Sequence, residues 1–122
     1  MKESFVLKAI QSSAPLFKCI LFRNNVGMFQ IFEKGKKRVV RTGLGKGSSD
    51  LIGYTRRQVT PDMVGKTIAI FTAIEVKKGD WKQGKKFNEH ENTQKLFLDK
   101  VVEDGGIADF SSSIEEFINI VS

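Results

Sequence analysis

Phe5, Val6, Ala9 and Ile10 recur at helical spacing, so a single apolar stripe along Glu3 to Gln11 predicts an amphipathic helix. Ser12, Ser13 and Pro15 are expected to end it. The short apolar run from Lys18 to Arg23 predicts a strand, and Asn24-Asn25-Val26-Gly27 the turn after it. Met28 to Glu33 predicts a second strand, with Met28, Gln30 and Phe32 on one face and Phe29 and Ile31 on the other. Lys34-Gly35-Lys36-Lys37 reads as a basic turn and Arg38 to Thr42 as a third short strand. The glycines between Gly43 and Gly47 call for a tight turn or a close backbone approach. Asp50 follows them, at the start of a short strand that opens with Leu51-Ile52. Thr60 to Gly65 is at most a turn of helix. Thr67 to Lys77 is the clearest strand: Ile68-Ala69-Ile70-Phe71-Thr72-Ala73-Ile74 carries no charge, the pattern of a central strand covered on both faces. Lys78 to Asn92 is polar and reads mostly as a mobile loop. Thr93 can cap a helix running to Asp104, closed by Gly105, and Ser111 or Ser113 can cap a last helix through Ile118.

These elements define an α/β chain. Its 122 residues correspond to one ordinary domain, with ten phenylalanines to fill a core. No apolar run is long enough to cross a bilayer and no signal-peptide pattern opens the chain, so a cytoplasmic protein is expected. Cys19, the one cysteine, lies in the apolar run Phe17 to Phe22 and is expected to be a buried thiol. The formal charge of +6 and the pI near 9.6 draw the chain toward polyanions, most often nucleic acid. Charge of this kind also serves as an ordinary solvated surface.

The candidate chemistry lies where charge meets the apolar strand. Residues two apart on a strand share a face, so Glu75 and Lys77 point one way while Ile74 and Val76 point the other. A carboxylate and an amine at the end of a buried strand need compensation, which a metal ion with a phosphate supplies. Asp50 offers a second carboxylate, and paired carboxylates suit Mg²⁺. Such a metal stabilises charge on phosphate oxygens and activates a bound water, which a nearby lysine can orient. In the predicted helix, Gln94, Leu98 and Val101 fall on one stripe, which turns a glutamine inward. Two readings stand for these residues. One is a structural ion pair with an edge glutamine; the other is an active site.

Taken together, Gly47-Ser48-Ser49-Asp50-Leu51-Ile52-Gly53, Ile74-Glu75-Val76-Lys77, Gln94-Lys95-Leu96-Phe97-Leu98 and Gly105-Gly106 resemble the virus-type replication-repair nuclease (VRR-NUC) family of the PD-(D/E)xK superfamily. The resemblance runs across nearly the whole chain. It implies a single nuclease domain over 1–122 with a PD-(D/E)xK core, a mixed central β-sheet flanked by helices. It implies that Asp50, Glu75 and the backbone carbonyl of Val76 ligate Mg²⁺ or Mn²⁺, that Lys77 assists the attacking water, and that Gln94 is the family's helix glutamine. Glu3 matches an N-terminal glutamate of the family, and equally suits a helix start, where the dipole favours an acid. Ser49 departs from the proline that often precedes the motif aspartate. Short standalone forms look like phage-encoded members, which would place the protein in the cytoplasm of the host cell.

The resemblance further implies a structure-selective deoxyribonuclease that acts as a homodimer on branched DNA, a Holliday junction above all, where two paired cuts match two equivalent sites. Exposed apolar residues between Phe110 and Val121 are the candidate dimer interface. Phosphate neutralisation falls to Lys34, Lys36, Lys37, Arg38 and Arg41, to Lys46, and to Lys78, Lys82, Lys85 and Lys86, unless these are solubilising charge. Trp81 and Phe87 can wedge or stack at an exposed base, or anchor their loop to the core. The alternative from another class is a basic DNA-binding module that recruits replication or repair proteins without cutting. A sequence-specific restriction-type enzyme ranks last, for want of room for a recognition domain.

Overall fold

The computed structural model describes residues 2–82 and 86–122, as a mixed α/β chain with three helices and small sheets. The chain groups into two compact units, Met1–Arg57 and Gln58–Ser122.

The first unit contains α1 (Glu3–Ser13), β1 (Cys19–Arg23), β2 (Gly27–Glu33), β3 (Lys36–Thr42) and β4 (Leu51–Thr55). α1 carries Glu3 in its first turn and runs two residues past Gln11. Pro15 does not stop it directly but sits in the first turn of the 3-10 segment Ala14–Phe17, where a missing N–H is tolerated. Lys18, at φ 61°, then redirects the chain into β1. β1 pairs antiparallel with β4, Arg23 opposite Leu51 and Cys19 opposite Thr55. A Cβ on Gly53 would lie 1.8 Å from the Ile20 carbonyl oxygen, so glycine is what lets these strands approach. Cys19 is half-buried, not enclosed as expected, because its strand has a single partner.

β2 and β3 form an antiparallel hairpin with Glu33 opposite Lys36. Its turn is only Lys34-Gly35, both at positive φ, as a tight hairpin turn of matching twist requires. The expected four-residue basic turn is therefore shorter, since Lys36 and Lys37 already belong to the ladder.

The second unit contains the 3-10 turn Pro61–Met63, β5 (Thr72–Val76), α2 (Glu89–Glu103), β6 (Ile107–Ser111) and α3 (Ile114–Val121). β5 and β6 are parallel, with Glu75 beside Phe110, and α2 is the crossover that packs on both. Leu98, Val101 and Phe110 are its buried core. Two expectations change here. The strand expected from Thr67 to Lys77 is only Thr72–Val76, with Ile68 and Ile70 exposed, because a ladder is no longer than its shorter partner and β6 has five residues. α2 starts earlier than Thr93. Asn88 caps it, accepting from the Glu91 amide at 2.8 Å while the Glu91 side chain accepts from the Asn88 amide at 3.2 Å. Gly105, at φ 99°, closes the helix as predicted. A Cβ on Gly106 would lie 2.6 Å from Val101 Cγ1 and 2.8 Å from the Phe71 carbonyl oxygen, so the turn into β6 has no room for a side chain.

Among the described residues the strands pair two by two, in three two-stranded sheets, where one mixed central sheet is expected. No described helix is long and apolar enough to cross a membrane.

Candidate active site

Glu75 is the fourth residue of β5 and Lys77 follows its end, where the Lys77 amide donates to the Ser111 carbonyl at 2.9 Å. The period of two puts both side chains on the face that α2 covers. There Gln94 joins them: Lys77 Nζ donates to Gln94 Oε1 at 2.6 Å, and Gln94 Nε2 donates to Glu75 Oε1 at 2.7 Å. A lysine only donates and a carboxylate only accepts, so the amide can bridge the two in one orientation alone. His90 Nε2 lies 3.2 Å from the same Gln94 nitrogen.

The Lys77 side chain is 14% exposed, and Glu91 Oε2, on a carboxylate 15% exposed, lies 3.9 Å from its ammonium. The Phe110 and Trp81 ring centroids lie 5.5 and 6.0 Å from Nζ, within reach of a cation–π attraction. Glu91 is held in turn by the Trp81 indole N–H at 2.6 Å. That hydrogen bond is the main reason its carboxyl sits below the usual glutamate range; the Asn88 amide, Lys77 and His90 act in the same direction and burial acts against them. A depressed folded-state pKa contributes stability above the unfolded value, about 4.3, that is lost as pH falls through the folded value. The stability advantage of the wild type over Glu91→Gln is therefore expected to be full above about pH 4.5 and to shrink in more acid buffer. A difference that stays constant through acid denaturation would count against this account.

Trp81 stacks on Phe87 with centroids 6.0 Å apart, and both rings meet Phe110, at 4.9 and 5.5 Å. Both side chains thus pack on the core residue Phe110, the anchoring one of the two arrangements expected for this pair. Glu91 and His90 were not among the sequence candidates, and Phe110 was expected at a dimer interface, not beside Lys77. The legible signal was Asn88-x-x-Glu91, a capping pattern that also fixes where Glu91 points. The compensation expected from a metal and a phosphate is supplied in part by the protein itself, through Gln94 and Glu91.

In the first unit, Asp50 is exposed and immediately precedes β4. It lines an open cleft of about 800 Å³ with Arg23, Asn25, Phe29 and Ser48. Buried Asn24 organises the glycine-rich loop before it. Its Nδ2 donates to Ser48 Oγ at 2.9 Å and to the Ser49 carbonyl at 2.7 Å, its Oδ1 accepts from the Leu44 amide at 2.9 Å, and its own amide donates to the Asp50 carbonyl at 2.9 Å. A Cβ on Gly43 would sit 2.9 Å from that Oδ1, so the close approach expected of these glycines is realised at Gly43, whose φ is 78°. Glu3 is exposed at the start of α1.

The basic candidates are dispersed. Lys36 and Arg38 share one face of the β2–β3 ribbon, where Arg38 lies 3.7 Å from Glu33, while Lys37 and Arg41 share the other. Lys34 is in the turn, and Lys46, Lys78, Lys82 and Lys86 are exposed. Lys85 lies outside the described residues. Phe110, proposed at the edge of an exposed interface, is 3% exposed and belongs to the core; Ile114, Phe117, Ile118 and Val121 remain exposed along α3.

The Glu75 carboxylate and the Val76 carbonyl are oxygen donors, the kind Mg²⁺ and Mn²⁺ prefer, and Asp50 adds a carboxylate of the same kind in its own unit. Among the described residues there is no cluster of three or more His, Cys, Asp or Glu arranged to hold a metal. Compared with protein-family models, curated proteins and solved structures, the chain matches none of them.

Proposed function

We propose that the chain is a metal-dependent, structure-selective DNA endonuclease with a PD-(D/E)xK core, of the VRR-NUC kind its sequence resembles. The observation that carries the reading is the Lys77–Gln94–Glu75 bridge at the end of β5. Glu75, through its carboxylate, and Val76, through its carbonyl, would hold Mg²⁺ or Mn²⁺; for Asp50 as a further ligand the support is the sequence motif alone. When bound, the cation neutralises phosphate oxygens and activates a water. Lys77, oriented by Gln94 and Glu91, donates a hydrogen bond to the attacking water and to the charge that develops on the phosphoryl oxygen. Its aromatic neighbours keep the ammonium from folding out into solvent. The lysines and arginines of the β2–β3 ribbon, Lys46 and the Lys78–Lys86 segment would neutralise the DNA backbone. Glu3 is retained as a candidate from the resemblance. A homodimer joined through the apolar stripe of α3, acting on a four-way junction, completes the proposal.

The test is cleavage of a panel of four-way junction, flap, splayed and linear DNA in Mg²⁺ and in Mn²⁺. Backbone cleavage, greatest on the branched substrates, is the expected result. The second reading is a non-cutting DNA-binding module, favoured by the net charge of +6 and the exposed lysines, which need no metal to hold a DNA backbone. No cleavage of any substrate, with DNA binding retained, would select that reading.

A further inference from the structure

One face of the β2–β3 ribbon carries large apolar side chains that neutralising a DNA backbone does not explain. Register places Met28 opposite Arg41, Gln30 opposite Val39 and Phe32 opposite Lys37, and paired residues of an antiparallel ladder point the same way. All six are exposed, while the half-buried positions Gly27, Ile31, Val40 and Thr42 all fall on the other face. A solvated sheet face is normally polar. This one presents Phe32 at 77%, Met28 at 65% and Val39 at 53% exposure, beside two cations and no acid. Large exposed apolar groups among charges of one sign mark a surface that something covers.

The charge pattern says what. A second copy meeting the same face would bring Lys37 and Arg41 against their own counterparts, with no acid on the face to pair them. A protein partner would need acids to meet them and a flat apolar surface to meet Phe32. A nucleotide carries both features in one residue: a π-face for the ring and a phosphate for the neighbouring cation. Phe32 beside Lys37 matches that pairing, and Met28 beside Arg41 adds an apolar group and a second cation further along the ribbon. Bases inside a duplex are already stacked, so the fit is to unpaired ones.

We propose that this face of the ribbon binds unpaired nucleotides, with Phe32 stacking on a base and Lys37 and Arg41 holding the flanking phosphates, so that the protein is directed to branch points. The inference rests on the reading that DNA is the substrate, and it names what in the DNA is recognised.

The test is binding of single-stranded, four-way-junction and blunt duplex DNA by the full chain with EDTA present, which separates recognition from cleavage. Phe32→Ala is expected to weaken binding to the single strand and the junction by about 5- to 100-fold, with a far smaller change on blunt duplex. Phe32→Tyr is expected to keep wild-type affinity, and circular dichroism checks that both variants are folded. Lys37→Ala is expected to lower the salt dependence of single-strand binding by about 0.7 in log–log slope. Unchanged single-strand affinity in Phe32→Ala would overturn the inference while leaving the nuclease reading intact if the wild type still cuts. Equal losses on all three DNAs would also overturn it, since they point to a groove contact. So would loss of binding to phosphatidylserine vesicles with DNA binding unaffected, which would assign the face to a membrane surface. A wild type that neither binds nor cuts any DNA would end both proposals.

Discussion

Glu75→Gln is expected to lower the single-turnover cleavage rate by roughly 100-fold or more, the scale set by removing one preorganised electrostatic contributor from an active site. The substitution is nearly isosteric. Its amide oxygen can still accept from Gln94 Nε2, which approaches Glu75 Oε1 at 2.7 Å, so the contact to α2 survives while the negative charge does not. Folding stability should change by only about 1 kcal/mol, the usual net value of a single hydrogen bond. A large loss of rate with a small change in melting temperature is the signature of a charge needed for chemistry. The reverse pattern, a large loss of stability with cleavage intact, is what a structural bridge gives.

Phe110→Ala should produce the largest loss of stability in the second unit, about 3–5 kcal/mol, the range for truncating a buried aromatic residue. Phe110 is 3% exposed, the fourth of the five residues of β6, and meets the rings of Trp81 and Phe87. Its removal leaves a cavity under α2 and takes the aromatic face from beneath Lys77. Urea titration at fixed protein concentration measures the loss, and a midpoint shift worth less than about 1 kcal/mol would show that the cluster does not hold this unit together. Phe110→Leu should recover most of the loss by refilling the volume, since volume-conserving apolar swaps cost little.

What the sequence made legible, and what it hid, divides along physical lines. Features governed by local periodicity or local chemistry were readable: α1 from its stripe, the β2–β3 hairpin from alternation around Lys34-Gly35, the close of α2 at Gly105, and the shared face of Glu75 and Lys77. Gln94 was readable as inward because Leu98 and Val101 share its stripe, and both are buried. Features set by a distant partner were not readable. β6 was missed because Ile107–Ser111 is short, mixed in polarity, and a strand only by virtue of pairing with β5. That pairing in turn sets the length of β5, which is why the apolar run before Thr72 overstated the strand. Asn24 read as a turn residue, yet it is the centre of four hydrogen bonds that shape the loop before Asp50, a role visible only once Leu44, Ser48 and Ser49 return to it. Glu91 was hidden for the opposite reason. Its capping box was legible, but a polar, lysine-rich stretch around it outweighed that signal.

The functional reading depends on what Lys77 does, and one comparison addresses it directly. Wild type and Lys77→Met are to be compared in single-turnover cleavage of a four-way junction with Mg²⁺, with binding to the same junction measured in EDTA. Methionine keeps an unbranched apolar side chain and removes the ammonium that reaches Gln94 Oε1 and Glu91 and faces the Phe110 and Trp81 rings. Cut DNA is expected from the wild type, none from the variant, and junction affinities that agree within a few-fold. Equal cleavage by the two proteins, or no cleavage by the wild type, would contradict the functional reading.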